Sequence, residues 1–213
     1  MTAAIRVSAS GLVKDRSGRR VLDGVELSAA AGQLVGTGGP SGSGKTTLLM
    51  ILAGLLEPDE GGVELAGGTN ASGGQPRVGF VPQSLGLAPM LTAAENVAIV
   101  LQLQGIAPEE IARRTMALMD TLGLGATHDR VVTELSGGQR QRVAVARALV
   151  AAPDILIADE PTAEVDAENR RLILKLLREA AEAGATVIVA THDPEVIDSC
   201  DDAYELREGR LVR

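Results

Sequence analysis

One stretch constrains this chain more than any other: Gly39-Pro40-Ser41-Gly42-Ser43-Gly44-Lys45-Thr46-Thr47. It fits G-x-x-x-x-G-K-[ST], a loop between a strand and a helix that wraps a nucleotide's phosphates. The glycines let the backbone turn without a Cβ in the way, so successive N–H groups can point at phosphate oxygens. Lys45 is placed to reach the β- and γ-phosphates, and the Thr46 hydroxyl to coordinate Mg²⁺. The apolar run Thr47-Leu48-Leu49-Met50-Ile51-Leu52 then reads as a helix whose positive N-terminus faces the anion. A strand must enter this loop and a helix must leave it, so the chain is an α/β protein with an NTP-binding core.

The remaining segments fit around that core. Residues 5 to 30 alternate apolar and polar about a break at Ser17-Gly18, which suits short antiparallel strands in an N-terminal β subdomain. Gln33-Leu34-Val35 is the strand that feeds the loop. Pro58 and Gly61-Gly62 read as a break before a short strand, Val63-Glu64-Leu65. Residues 66–77, rich in Gly, Ser and Asn, read as a flexible loop before the strand Val78-Gly79-Phe80-Val81.

Thr92-Ala93-Ala94-Glu95 is a capping box that opens a helix running toward Gly105. Ile111, Thr115, Leu118, Met119 and Leu122 recur at helical spacing between Pro108 and Gly123. A third helix follows Leu135 to Gln139 and stops at Pro153. Three helical patterns in succession predict a helical subdomain, about 87–151, inserted in a core of about 1–86 and 152–213. The core resumes with buried strands at Ile155-Leu156-Ile157-Ala158 and Thr186-Val187-Ile188-Val189-Ala190, which belong to a mostly parallel sheet. A helix over about 167–183 lies between them, and the tail from Ala203 to Val212 reads as a hairpin turning at Glu208-Gly209.

Composition narrows the function classes. With 213 residues the chain is one domain carrying an inserted lobe, and no apolar run is long enough to span a bilayer. Residues Met1 to Arg6 do not carry a signal-peptide pattern. The net charge of −8 and the lack of a basic stripe argue against nucleic acid as a partner. Phe80 and Tyr204 are the only aromatics, so base-stacking platforms are scarce. The single cysteine, Cys200, fits a reducing cytoplasm and reads as a small buried hydrophobe. His128 stands outside any motif and reads as a surface residue.

Leu135-Ser136-Gly137-Gly138-Gln139, followed by Arg140-Gln141-Arg142-Val143-Ala144, is the most specific segment after the loop. With it, the chain from about residue 5 onward resembles the ATP-binding subunit of ABC transporters. The resemblance implies ATP and Mg²⁺ as ligands and assigns roles by position. Asp159 and Glu160 match the Walker B pair, Asp159 holding Mg²⁺ through water and Glu160 serving as the base for the attacking water. Gln83 matches the glutamine that contacts Mg²⁺ or the attacking water and senses the membrane partner. His192, in Thr191-His192-Asp193, matches the histidine that bonds the γ-phosphate, and Asp166 takes the D-loop position while also suiting a helix cap. The family packs two copies head to tail, so that Ser136 to Gln139 of one close over the ATP held by Lys45 of the other. The expected partners are therefore a second copy and an integral membrane permease, with the chain peripheral on the inner face of the cell membrane. Phe80-Val81-Pro82-Gln83-Ser84 and Thr191-His192-Asp193-Pro194-Glu195-Val196 look most like the subgroup of lipoprotein release, macrolide export and cell-division signalling.

Three features depart from the family pattern. Arg16 stands where an aromatic residue stacks on adenine, and a guanidinium plane can take that place. Gly36-Thr37-Gly38 replaces apolar residues in the strand before the loop, so Gly38→Val is expected to raise the melting temperature. Ala163-Glu164-Val165 replaces the usual D-loop residues. The alternative function is a non-transporting ABC ATPase, either signalling mechanically to a membrane protein or acting as a soluble enzyme. A GTPase or small-molecule kinase is disfavoured, because no Asn-Lys-x-Asp motif is present.

Overall fold

The computed structural model describes residues 4–66 and 75–212. Two sheets share one helix. The first is antiparallel, in the order β2-β1-β4, from β1 (Ile5–Arg16), β2 (Arg19–Ala30) and β4 (Glu60–Leu65). β1 turns into β2 at Ser17-Gly18, where both residues have positive φ, the geometry of a two-residue hairpin turn. The glycine pair 61–62 does not break the chain, as the sequence suggested; both residues lie inside β4. Gly61 passes so close to the carbonyls of Ser10 and Gly11 that no side chain fits there.

The second sheet has the order β5-β6-β7-β3-β8-β9. β3 (Leu34–Gly38), β5 (Val78–Val81), β6 (Ile155–Asp159), β7 (Thr186–Ala190) and β8 (Asp202–Arg207) run parallel, and β9 (Arg210–Val212) returns antiparallel beside β8. The tail is thus a hairpin, as expected, but its first strand also pairs with β3.

Period-two alternation in these strands sorts their side chains onto two faces. Val35, Ile155, Ile157 and Ile188 face α1 (Lys45–Leu52), whose Leu48, Leu49 and Leu52 also meet Leu12, Leu22 and Leu27 of the antiparallel layer. The helix after the loop is therefore clamped between two sheets. Leu34, Leu156, Ala158, Val187 and Val189 point to the opposite face. There they meet Ala144, Val145 and Ala148 of α4 (Gly137–Leu149) and Ile173 and Leu177 of α5 (Ala167–Glu182).

The helical lobe has its own apolar cluster. Val97 and Leu101 of α2 (Ala93–Leu103), Met119 of α3 (Pro108–Thr121), and Val143, Ala146 and Val150 along and just past α4 form it. Thr92 caps α2 in a complete capping box with Glu95, as its sequence predicts. α4 has one face in the lobe and one on the sheet, so it joins the two.

A short helix the sequence did not announce, α6 (Pro194–Asp198), covers β3. This alters the reading of Gly36. A Cβ added there would lie 2.9 Å from Cys200 Sγ and 3.0 Å from Ile197 Cδ1, so the space is already filled. Cys200 is only partly buried, and its thiol donates to the Val196 carbonyl at 3.2 Å. Burial pushes that thiol up to about 11. His128 is also not a plain surface residue: it is half-buried, with Nδ1 2.8 Å from the Gly125 carbonyl oxygen. Most of the loop expected over 66–77 lies outside the described residues.

Candidate active site

The parallel strands end on one side of the sheet, and their C-terminal ends open into a cavity of about 680 Å³. Open α/β sheets bind ligands in this crevice. Its wall includes Gly39 to Gly42, Gly44 to Thr47, Gln83, Asp159, Glu160 and His192. Segments distant in the chain are thus brought to one place by β3, β5, β6 and β7.

The loop from 39 to 44 has a backbone that requires glycine at both ends. Gly39 has φ +136, and a Cβ there would sit 2.5 Å from the Leu206 carbonyl oxygen. Gly44 has φ +110, and its Cβ would meet Val21 at 2.9 Å. β8 and β2 therefore press the loop from both sides. Lys45 is buried, and its Nζ donates to the carbonyls of Gly39 at 2.7 Å and Pro40 at 3.0 Å. Gly44 offers α1 no side-chain cap, and no acidic residue occupies its first turn. Ser43 Oγ is buried without a hydrogen-bond partner. An uncapped helix start, an adjacent lysine and an orphaned hydroxyl all fit a bound phosphate.

Thr46 Oγ1 donates to Asp159 Oδ2 at 2.6 Å. Asp159 is buried, and this burial pushes its carboxyl above the usual range. The Thr46 hydrogen bond and the charge of Lys45 pull it back, while neighbouring Glu160 pushes it further up. A hydroxyl and a carboxylate side by side are hard oxygen donors, the kind Mg²⁺ takes. Gln83 is exposed on the same wall.

Glu160 is held at every polar atom. Thr191 Oγ1 donates to its Oε2 at 3.0 Å, and His192 Nδ1 lies 2.8 Å from its Oε1. Its N–H donates to the Ala190 carbonyl at 2.8 Å, and its own carbonyl accepts from Ala163 N at 3.1 Å and Gln141 Nε2 at 3.1 Å. These bonds oppose a backbone strain, because Glu160 has φ +51, a conformation that costs a non-glycine residue about 1–3 kcal/mol.

Other residues singled out from sequence lie elsewhere. Ser136 to Gln139 are not among the residues lining this cavity. Ser136 caps α4: Gln139 N donates to Ser136 Oγ at 3.3 Å, and Ser136 N donates to Gln139 Oε1 at 2.9 Å. Asp166 caps α5, accepting from Asn169 N at 2.9 Å and Asn169 Nδ2 at 2.8 Å. Arg16 is exposed at the end of β1, outside the lining.

Sequence reasoning gave no role to Gln141 or to the Thr191 hydroxyl. Gln141 did carry a signal, since it shares a helical face with the apolar residues Ala144, Val145 and Ala148. A polar side chain on a buried face needs a partner.

Residues 22–163 match the family model described as ABC transporter. The chain is 43% identical over 202 residues to the lipoprotein-releasing system ATP-binding protein LolD of Anaeromyxobacter dehalogenans, covering 90% of this chain and 84% of that protein. It is 38% identical over 206 residues to the macrolide export ATP-binding/permease protein MacB of Nitrosomonas europaea, covering 93% of this chain but only 31% of MacB. Among solved structures it resembles the dimeric ATP-binding cassette MJ0796 in a post-hydrolysis state bound to ADP and Pi. The TM-score is 0.89 at 33% identity, with 97% of both chains covered.

Proposed function

The chain belongs to the ABC transporter family as an ATP-binding and ATP-hydrolysing subunit of the kind that includes LolD and MacB, and on that footing we propose how its residues divide the work. The loop from Gly39 to Thr47 takes the triphosphate, whose oxygens replace the Gly39 and Pro40 carbonyls as partners of Lys45. Thr46, Asp159 and Gln83 would hold Mg²⁺, which neutralises phosphate charge when bound. Glu160 orients a water and accepts its proton as the water oxygen attacks the γ-phosphorus. The bond to the β–γ bridging oxygen then breaks and ADP is the leaving group. His192 steadies Glu160 through Nδ1, and its Nε2 is left for the γ-phosphate. The observation carrying this reading is the tethered carboxylate of Glu160 on the wall of the cavity that Lys45 and Thr46 share.

Ser136 to Gln139 lie off their own chain's cavity, and so does Asp166, the cap of the same chain's α5. This supports a head-to-tail pair in which each chain's segment closes over ATP held by the other, with closing and reopening as the mechanical output. The dimeric cassette structure supports the pairing. Arg16 is proposed to stack on the base. Among the described residues no helix is long and apolar enough to cross a membrane. A separate integral membrane permease, with this chain peripheral on its inner face, is the arrangement that the likeness to LolD supports.

Glu160→Gln tests both levels. Purified protein should still bind ATP while turnover falls by about 10²-fold or more, since an amide cannot accept the proton. Turnover at the original rate removes Glu160 from the role. Tagged Glu160→Gln protein drawn from its own cells' membranes with Mg-ATP should bring a multi-span protein with it, and a purely soluble partner would overturn the transporter arrangement.

A further inference from the structure

α4 carries more than a cap. From one turn past Ser136 onward its polar side chains reach two loops and the first turn of α5 in the same chain. Gln141 Nε2 donates to the Glu160 carbonyl at 3.1 Å. Arg142 bonds Asn169, the residue that the Asp166 cap holds. Arg147 donates to the carbonyls of Leu85 at 2.6 Å and Gly86 at 2.5 Å, just past Gln83. Gln141 differs from the other two because it touches the backbone of the base itself.

Its surroundings leave it little else to do. Gln141 is 4% exposed, lies on the sheet-facing side of α4 and lines the cavity. Buried amides are kept where they make hydrogen bonds, and an apolar residue would fill this space without desolvation cost. The carbonyl it grips belongs to a residue in the left-handed region, whose backbone direction sets where the carboxylate points. His192 and Thr191 hold the carboxylate from β7's side; Gln141 holds the backbone from α4's side.

We propose that Gln141 is a positioning residue for hydrolysis: it fixes the backbone at Glu160 of its own chain and thereby aims the base. This rests on the reading of Glu160 as that base. In a head-to-tail pair the consequence is specific. The Ser136–Gln139 segment of a chain serves the partner's nucleotide, whereas Gln141, on the same helix, serves its own. A misaimed base slows chemistry without loosening nucleotide.

Mixed dimers separate the two assignments. Two differently tagged copies are combined, one of them always Glu160→Gln, so that only the other copy's base can act. Gln141→Ala is then placed either in the copy with the intact base or in the Glu160→Gln copy. We expect ATP turnover at least about ten-fold slower in the first arrangement than in the second, with the KM for ATP within about two-fold between them. Equal rates in both arrangements would overturn the proposal, since Gln141 would then act only by supporting α4. So would a loss confined to the second arrangement. If Gln141→Ala does not fold, Gln141→Met keeps the side-chain length, cannot donate, and gives the same contrast. The Glu160→Gln homodimer is the separate check on the base: wild-type turnover there removes the reading of Glu160 itself, whatever the placement of Gln141 does.

Discussion

Glycines mark the starts of both α1 and α4, Gly44 just ahead of the first and Gly137 and Gly138 opening the second, yet the two helices start in opposite ways. α1 begins uncapped: Gly44 contributes no side chain, and its leading amides are left for something outside the chain. α4 begins complete, with Ser136 and Gln139 each satisfying the other's backbone. Gly39 and Gly44, at the two ends of the loop before α1, lie against β8 and β2, whereas Gly137 and Gly138, inside α4's first turn, lie against Glu164. One helix start is a receptor that needs its ligand for completion. The other is finished as it stands and can be presented to a ligand held elsewhere. α2 makes the contrast sharper, since Thr92 and Glu95 form the same box as Ser136 and Gln139, but over Ala93 and Ala94. Capping is therefore not what sets α4 apart from α2; the pair of glycines is, and they suit the proposed approach of the partner's nucleotide.

The largest test of this contrast is at α1. Lys45→Ala should weaken ATP binding by at least about ten-fold, through loss of charge-assisted contacts, when measured by nucleotide titration of the purified chain. An unchanged affinity would mean that α1 is no receptor. Next come two matched cap deletions. Ser136→Ala and Thr92→Ala should each cost about 1 kcal/mol in thermal unfolding, because each removes one half of a capping box. Only Ser136→Ala should also lower ATP turnover, and a matching fall for Thr92→Ala would erase the distinction between the boxes. The smallest effect concerns the strand that delivers the loop. A Cβ on Gly38 would find its nearest atom, the Tyr204 carbonyl oxygen, at an ordinary 3.7 Å, whereas Gly36 has Cys200 already against it. Gly38→Ala should gain about 0.5–1 kcal/mol and Gly36→Ala should gain nothing, compared by melting temperature. A gain at Gly36 would show that Cys200 and Ile197 yield.

What the sequence could reveal follows the range of the interactions involved. The capping box at Thr92, the break at Ser17-Gly18 and the strand from Ile155 to Ala158 were legible because each is decided by neighbours a few residues apart. The second box, at Ser136, emerged only from the structure. The loop from Gly39 to Gly44 was legible because its glycines recur at a fixed local spacing, although Leu206 and Val21, against which Gly39 and Gly44 lie, are separated from it in sequence. That Gly36 has its space filled was not legible, since the atoms against it belong to Ile197, on a helix too short to show periodicity, and to Cys200 just past that helix, both remote in sequence. Gly61-Gly62 was misread as a break for the same reason: its partner is the backbone at residues 10 and 11. The grip of Gln141 on Glu160 needs the fold of two distant segments, and only the polar residue on an apolar face hinted at it.

The placing of β3 has a consequence for how the chain comes to exist. Val35 lies between Ile188 on one side and Asp202 on the other, whereas β1, β2 and β4 have all their ladder partners by residue 65. A chain emerging from synthesis can thus close its small antiparallel sheet early, while the strand behind the phosphate loop waits with both edges open. Its ladder is complete only once residues 202–205 have been made. The nucleotide pocket is written near the start of the chain and assembled at its end, so a truncated product cannot present a finished one.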